Sequence, residues 1–75
     1  MAKTKADNLK NKMRELRARH RLTQAELAKA VSVSRQTIVA VEKGEYNLSV
    51  VMALRIAAVF GEPVESVFWL DEENG

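Results

Sequence analysis

The sequence predicts a single all-α domain of five short helices, and three observations carry that expectation. Apolar residues recur at spacings of three and four, as in Leu9, Met13 and Leu16. Start and stop signals divide the chain into five segments, with Thr23, Ser34 and Ser49 as amino-terminal caps and Gly44 and Gly61 as stops. Aromatic residues make up 5% of a chain that is 47% hydrophobic, so aliphatic helix packing has to build the core.

The elements follow in order. Residues 1–8 alternate small, basic and amide side chains with little to bury, and read as a disordered basic tail. Residues 9–70 form the domain. Its first helix starts at Leu9: Leu9, Met13 and Leu16 line one face, Lys10, Lys12, Arg14, Glu15, Arg17 and Arg19 surround them, and the helix ends near His20. Leu22 anchors the connection that follows. Thr23, with Glu26 three residues on, makes a capping box that opens a second helix from about Gln24 to Val31. Leu27, Ala28 and Val31 share its inner face, and Ala25 and Ala30 keep it slim enough for a neighbour to approach closely.

The cluster Val31-Ser32-Val33-Ser34 is too short for a strand and ends in a good cap, so a third helix begins at Arg35. Its inward residues are Ile38 and Val41, and Lys43 followed by a left-handed Gly44 ends it. Ser49 caps a fourth helix, Val50 to Phe60, which is apolar nearly all round except at Arg55 and is therefore central or shared with a partner. Gly61 closes it, and Pro63 pre-sets a fifth helix reaching to about Phe68. Residues 71–75 read as an acidic tail.

Composition excludes several classes of function. Without cysteine there is neither a disulfide framework nor a thiolate metal site, which fits a reducing, cytoplasmic setting. The longest apolar stretch, Val50 to Phe60, is little more than half the roughly 20 residues needed to cross a bilayer. The amino-terminal basic residues have no apolar segment behind them, so no secretory signal is expected. His20, the only histidine, cannot build a metal site or a triad by itself, and an exposed or phosphate-near role suits it better. Ser32, Ser34, Ser49 and Ser66 have no paired base, and no glycine-rich phosphate loop is present. Neither an enzyme nor a cofactor, metal or small-molecule ligand is therefore expected.

Charge points to a partner. Residues 1–35 hold 10 Lys/Arg against 3 Asp/Glu, a balance of +7, whereas residues 36–75 hold 2 against 7, a balance of −5. A basic half joined to an acidic half suits a polyanion on one face, although an unevenly charged soluble surface would look the same.

The stretch from Gln24 to Lys43 narrows the choice. Leu27, Val31, Val33, Ile38 and Val41 are apolar where two crossed helices share a core, and the crossing point holds the small Ala28. Two helices joined by so short a turn cross at a large angle, which is the packing requirement of a helix-turn-helix.

At this point the sequence resembles the Xre-type regulators, the family of Cro and the phage repressors, especially their small single-domain bacterial and archaeal members. The segments that carry the resemblance are Met13-Arg14-Glu15-Leu16-Arg17, Leu22-Thr23-Gln24-Ala25-Glu26-Leu27-Ala28, Val33-Ser34-Arg35-Gln36-Thr37-Ile38, Glu42-Lys43-Gly44-Glu45-Tyr46-Asn47 and Ala53-Leu54-Arg55-Ile56-Ala57. They extend over about residues 12–70. The resemblance implies a compact five-helix lambda-repressor-like domain, with or without a short extended segment at its carboxy end. It also implies double-stranded DNA as partner, with the third helix, Arg35 to Lys43, in the major groove.

The site residues follow from that resemblance. Arg35, Gln36 and Thr37 are the implied base readers, and Ala40 can touch a thymine methyl. Arg can pair with guanine, Gln with adenine, and the Thr methyl can meet thymine. Gln24 and Ser34 at helix starts, and Lys43, Gly44, Tyr46 and Asn47 after the third helix, are the implied phosphate contacts. Arg17 and Glu42 stand where the family places a structural ion pair. Lys10, Lys12, Arg14, Arg19 and Arg21 can add diffuse attraction, but most charges of the first helix are read as facing water.

Three departures stand out. Ser32 occupies a turn position where glycine is common, Val39 and Ala40 replace polar residues on the outer face of the third helix, and Leu48 replaces a common proline. Leu48 thus loosens its loop or supplies an apolar interface residue. The apolar end Val67-Phe68-Trp69-Leu70 is more than a small domain easily buries. Phe68, Trp69 and Leu70, with part of the fourth helix, are therefore the expected homodimer surface, the alternative being that Trp69 covers the core of its own chain. The expected function is a nucleoid-associated, cytoplasmic regulator, a repressor in preference to an activator, that binds a near-palindromic operator as a homodimer. The competing reading is an antitoxin or controller-type protein that binds DNA together with a protein partner.

Overall fold

The computed structural model describes residues 9–45 and 48–70. In chain order the elements are β1 (Leu9–Asn11), α1 (Met13–His20), α2 (Gln24–Ala30), α3 (Arg35–Glu42), α4 (Val50–Phe60), α5 (Val64–Val67) and β2 (Phe68–Leu70). The residues expected to be terminal tails, 1–8 and 71–75, lie outside the described residues.

Local chemistry sets the helix ends. The Thr23 hydroxyl accepts from the Glu26 amide at 3.0 Å, and the Glu26 carboxylate accepts from the Thr23 amide at 2.9 Å, so both halves of the expected capping box are made. Ser34 and Ser49 cap α3 and α4 by accepting from the amides of Thr37 and Met52 at 3.2 and 3.0 Å. Gly61, with φ 67°, closes α4 in the left-handed conformation. Arg21 does the same for α1 at φ 58° without being glycine. Pro63 is the cap of α5 and does not form its first turn.

The helices enclose one core, in which Met13, Leu16, Leu27, Ile38, Ile56 and Val67 are fully buried. Each of the large aliphatic side chains contributes about 1.5 to 3 kcal/mol relative to exposure. Leu48, in proline's usual place, is half-buried against this core.

One expectation is corrected. Leu9 does not begin the first helix: β1 pairs antiparallel with β2, with Leu9 opposite Leu70, Lys10 opposite Trp69 and Asn11 opposite Phe68. The cause is Asn11. Its carboxamide oxygen accepts from the Met13 amide at 3.0 Å, starting α1 there, while the Lys12 amide donates to the Val67 carbonyl at 3.0 Å. The backbone before Met13 is thereby diverted from helix to strand. At the other end α5 stops at Val67, and Phe68 opens the extended segment.

Candidate nucleic-acid interface

Helices α2 and α3 pack more extensively than any other pair of helices in the fold, and the turn between them is tight. The Val33 amide donates to the Ala28 carbonyl at 2.9 Å and the Ser32 amide to the Lys29 carbonyl at 3.2 Å. That reversal puts Ser32 at φ 61°, the left-handed region where glycine is favoured, and the position is occupied all the same. Ala28 is buried at the crossing and brings only a methyl group to it, so α3 can lie across α2.

The inner face of α3 is Ile38 and Val41, both in the core. Its amino-terminal turn therefore faces outward: Arg35 and Gln36 are exposed, and Thr37 and Ala40 are half-buried. The Thr37 hydroxyl lies 3.0 Å from the Ser34 hydroxyl, which ties Thr37 to the cap. Lys43 is the exposed carboxy-terminal cap, and Gly44 follows at φ 77°. A Cβ on Gly44 would meet the Leu9 carbonyl oxygen at an ordinary 3.6 Å, so conformation and not space selects glycine there. Tyr46 and Asn47 lie outside the described residues.

A polar network fastens this helix to α1 and α2. Arg17 Nε donates to Glu42 Oε2 at 2.6 Å, Arg17 Nη2 and Gln24 Nε2 donate to Glu42 Oε1 at 3.3 and 3.1 Å, and Arg17 Nη1 donates to the Leu22 carbonyl at 3.1 Å. The side chains of Arg17 and Glu42 are only 15% and 7% exposed. Gln24 thus stands at the start of α2 with its amide nitrogen held by Glu42, leaving one further N–H to offer.

These features make a capped, outward-turned helix crossed over a second helix by a short turn. A family model described as helix-turn-helix matches residues 13–67. The chain belongs to the Xre-type helix-turn-helix family. Over 66 residues it is 50% identical to an HTH-type transcriptional regulator of Bacillus subtilis, covering 88% of this chain and 100% of that one. Over 66 residues it is also 48% identical to an HTH-type transcriptional regulator of Methanocaldococcus jannaschii, with the same coverage of 88% and 100%. Among solved structures it is similar to the restriction-modification controller protein C.AhdI from Aeromonas hydrophila, with a TM-score of 0.67, 31% identity, and 72% of this chain and 78% of that chain covered. The helix-turn-helix family is one of regulators that bind double-stranded DNA, and it is not an enzyme class. Among the described residues of this helix-turn-helix protein, no helix is long and apolar enough to cross a membrane.

The carboxy-terminal residues are placed apart from one another. Phe68 is 7% exposed and belongs to the core, while Trp69 and Leu70 are 42% and 54% exposed. Successive strand residues point to opposite faces, so Trp69 and Leu70 do not share one flat surface. Trp69 lines a groove between α1 and α3. His20 is exposed, with its ring centroid 5.4 Å from that of Phe60.

Two features escape a reading of the sequence. Asn11 Nδ2 donates to the carbonyls of Val41 and Glu42 at 3.2 and 3.4 Å, satisfying the carboxy end of α3 from thirty residues away. The one available signal was an asparagine two residues before a helix, which is a good start signal for Met13 but says nothing of α3. Lys12 and Arg14, expected to add diffuse attraction only, line the same groove as Trp69.

Proposed function

We propose that this helix-turn-helix protein regulates transcription as a repressor, binding a near-palindromic operator as a homodimer with α3 in the major groove. The observation that carries this is the disposition of α3: one face is sunk in the core through Ile38 and Val41, and Arg35 and Gln36 project from its capped amino end. Arg35 and Gln36 read base edges, Thr37 and Ala40 supply methyl contacts, and Gln24, Ser34, Lys43, Gly44, Tyr46 and Asn47 hold phosphates. Occupying a promoter is sufficient for repression. Two copies reach half-sites about 34 Å apart, one turn of DNA. The protein acts in the cytoplasm, on the nucleoid.

Self-association is supported by apolar exposure on α4, where Val50, Val51 and Leu54 are 73%, 60% and 53% exposed. These three lie on one side of the helix at spacings of one, three and four. With Phe68 occupied in the core, α4 and Leu70 are the proposed dimer surface.

The test is selection of bound duplexes from a random pool with the full chain and with Arg35→Ala. A two-fold symmetric consensus is expected, and the variant loses preference at one position per half-site, with about 1 to 3 kcal/mol of discrimination lost there. Weak binding to every sequence, unaffected by Arg35→Ala, overturns the assignment. The similarity to a restriction-modification controller favours a second reading, in which the bound promoter is regulated together with a protein partner. Activation of a reporter placed under the selected operator, or a partner retained on DNA with the protein, would favour it over repression.

A further inference from the structure

We infer that the groove between α1 and α3 carries the DNA backbone beyond the phosphate contacts named above, with Lys12, Arg14 and the Trp69 indole as additional contacts. The inference rests on the proposed DNA binding and adds residues that the resemblance did not supply.

The groove has a volume of about 810 Å³, and its walls include Gln24, Val39 and Lys43 on one side and Lys12, Arg14 and Trp69 on the other. Gln24 and Lys43 are both proposed phosphate contacts, so a strand held by the two passes along this groove. Its electrostatics favour that occupant. The two carboxylates that line it are already engaged, Glu42 with Arg17 at 2.6 Å and Glu15 with Arg19 at 3.0 Å. Among the described residues, Lys12, Arg14 and Lys43 are in no ion pair, which leaves three cations along one cleft. Phosphates follow one another at about 3.4 Å of helix axis per strand, so a cleft of this size spans several of them.

Trp69 completes the cleft. Pairing of β2 with β1 sets Trp69 opposite Lys10, and strand alternation turns it away from the side on which Phe68 enters the core. An indole N–H only donates, so it suits a phosphate oxygen, and the ring offers an apolar wall to a deoxyribose. A partly exposed tryptophan beside three cations fits a sugar-phosphate strand better than it fits an apolar protein surface.

Trp69 is the only tryptophan in the chain, so its emission reports on this cleft alone. The full chain is titrated with a fluorescently labelled duplex, and binding is followed by the anisotropy of the label while Trp69 emission is recorded separately. The expected result is a change in emission that saturates with anisotropy at fixed protein concentration. Lys12→Ala and Arg14→Ala should each reduce the slope of log affinity against log salt by about one while leaving the selected consensus unchanged. Circular dichroism verifies that both variants fold, and Trp69→Phe should weaken binding to all sequences equally.

Saturating anisotropy with unchanged Trp69 emission and wild-type salt slopes in both variants would overturn the inference while leaving DNA binding intact. Emission that follows protein dilution and ignores DNA would also overturn it, placing Trp69 in a protein interface. Absence of any anisotropy change would overturn the DNA-binding reading and this inference together.

Discussion

Glu42 accepts from Arg17 Nε, Arg17 Nη2 and Gln24 Nε2, and its side chain is 7% exposed. Truncating it leaves the Arg17 guanidinium desolvated with only the Leu22 carbonyl as acceptor. Glu42→Ala is accordingly expected to cost about 3 to 5 kcal/mol in a denaturant titration. The double variant Arg17→Met with Glu42→Leu should recover most of that loss, because apolar replacements of similar volume avoid the desolvation of both charges. An unchanged unfolding midpoint in Glu42→Ala would remove the pair from any structural role. Ser32 presents the opposite case. Its hydroxyl is exposed and its backbone is left-handed, so Ser32→Gly should stabilise the fold by about 1 kcal/mol, read as a higher Tm.

At the scale of elements, the caps are the strongest local determinants. Ser49→Ala removes an acceptor from the Met52 amide and should cost about 1 kcal/mol. Ser34→Ala should cost about as much in stability. It should also weaken DNA binding, which Ser49→Ala should not, since Ser34 fixes the amino end of α3 and holds the Thr37 hydroxyl. Equal DNA affinity in the two cap variants would separate the cap from recognition. The capping box, the Ser34 and Ser49 caps and the stop at Gly61 were all legible because each depends on residues a few positions apart. β1 was not legible: Leu9, Met13 and Leu16 have helical spacing, and only the partner strand Phe68–Leu70 makes the extended alternative preferable.

At the scale of the whole molecule, the unpartnered surface of α4 is the feature with the largest consequence. Leu54→Glu puts a charge in the centre of the Val50, Val51 and Leu54 face. If two copies associate there, the wild type should unfold at a Tm that rises with protein concentration, and the variant should lose that dependence. Sedimentation should then show the variant as a monomer that still binds a single half-site weakly. A wild-type Tm independent of concentration would place self-association elsewhere or dispense with it.

Sequence alone determined the five helices, the turn between α2 and α3 and the outward position of Arg35 and Gln36. Those features rest on caps, glycine stops and helical spacing, whose physics acts within a few residues. The tertiary structure decided the rest: that Leu9 pairs with Leu70, that Phe68 enters the core while Trp69 lines a groove, and that Asn11 secures the carboxy end of α3. Each of these joins residues far apart in the chain. A strand gains its hydrogen bonds only from a partner strand, and a groove exists only between packed elements, so local pattern carries neither.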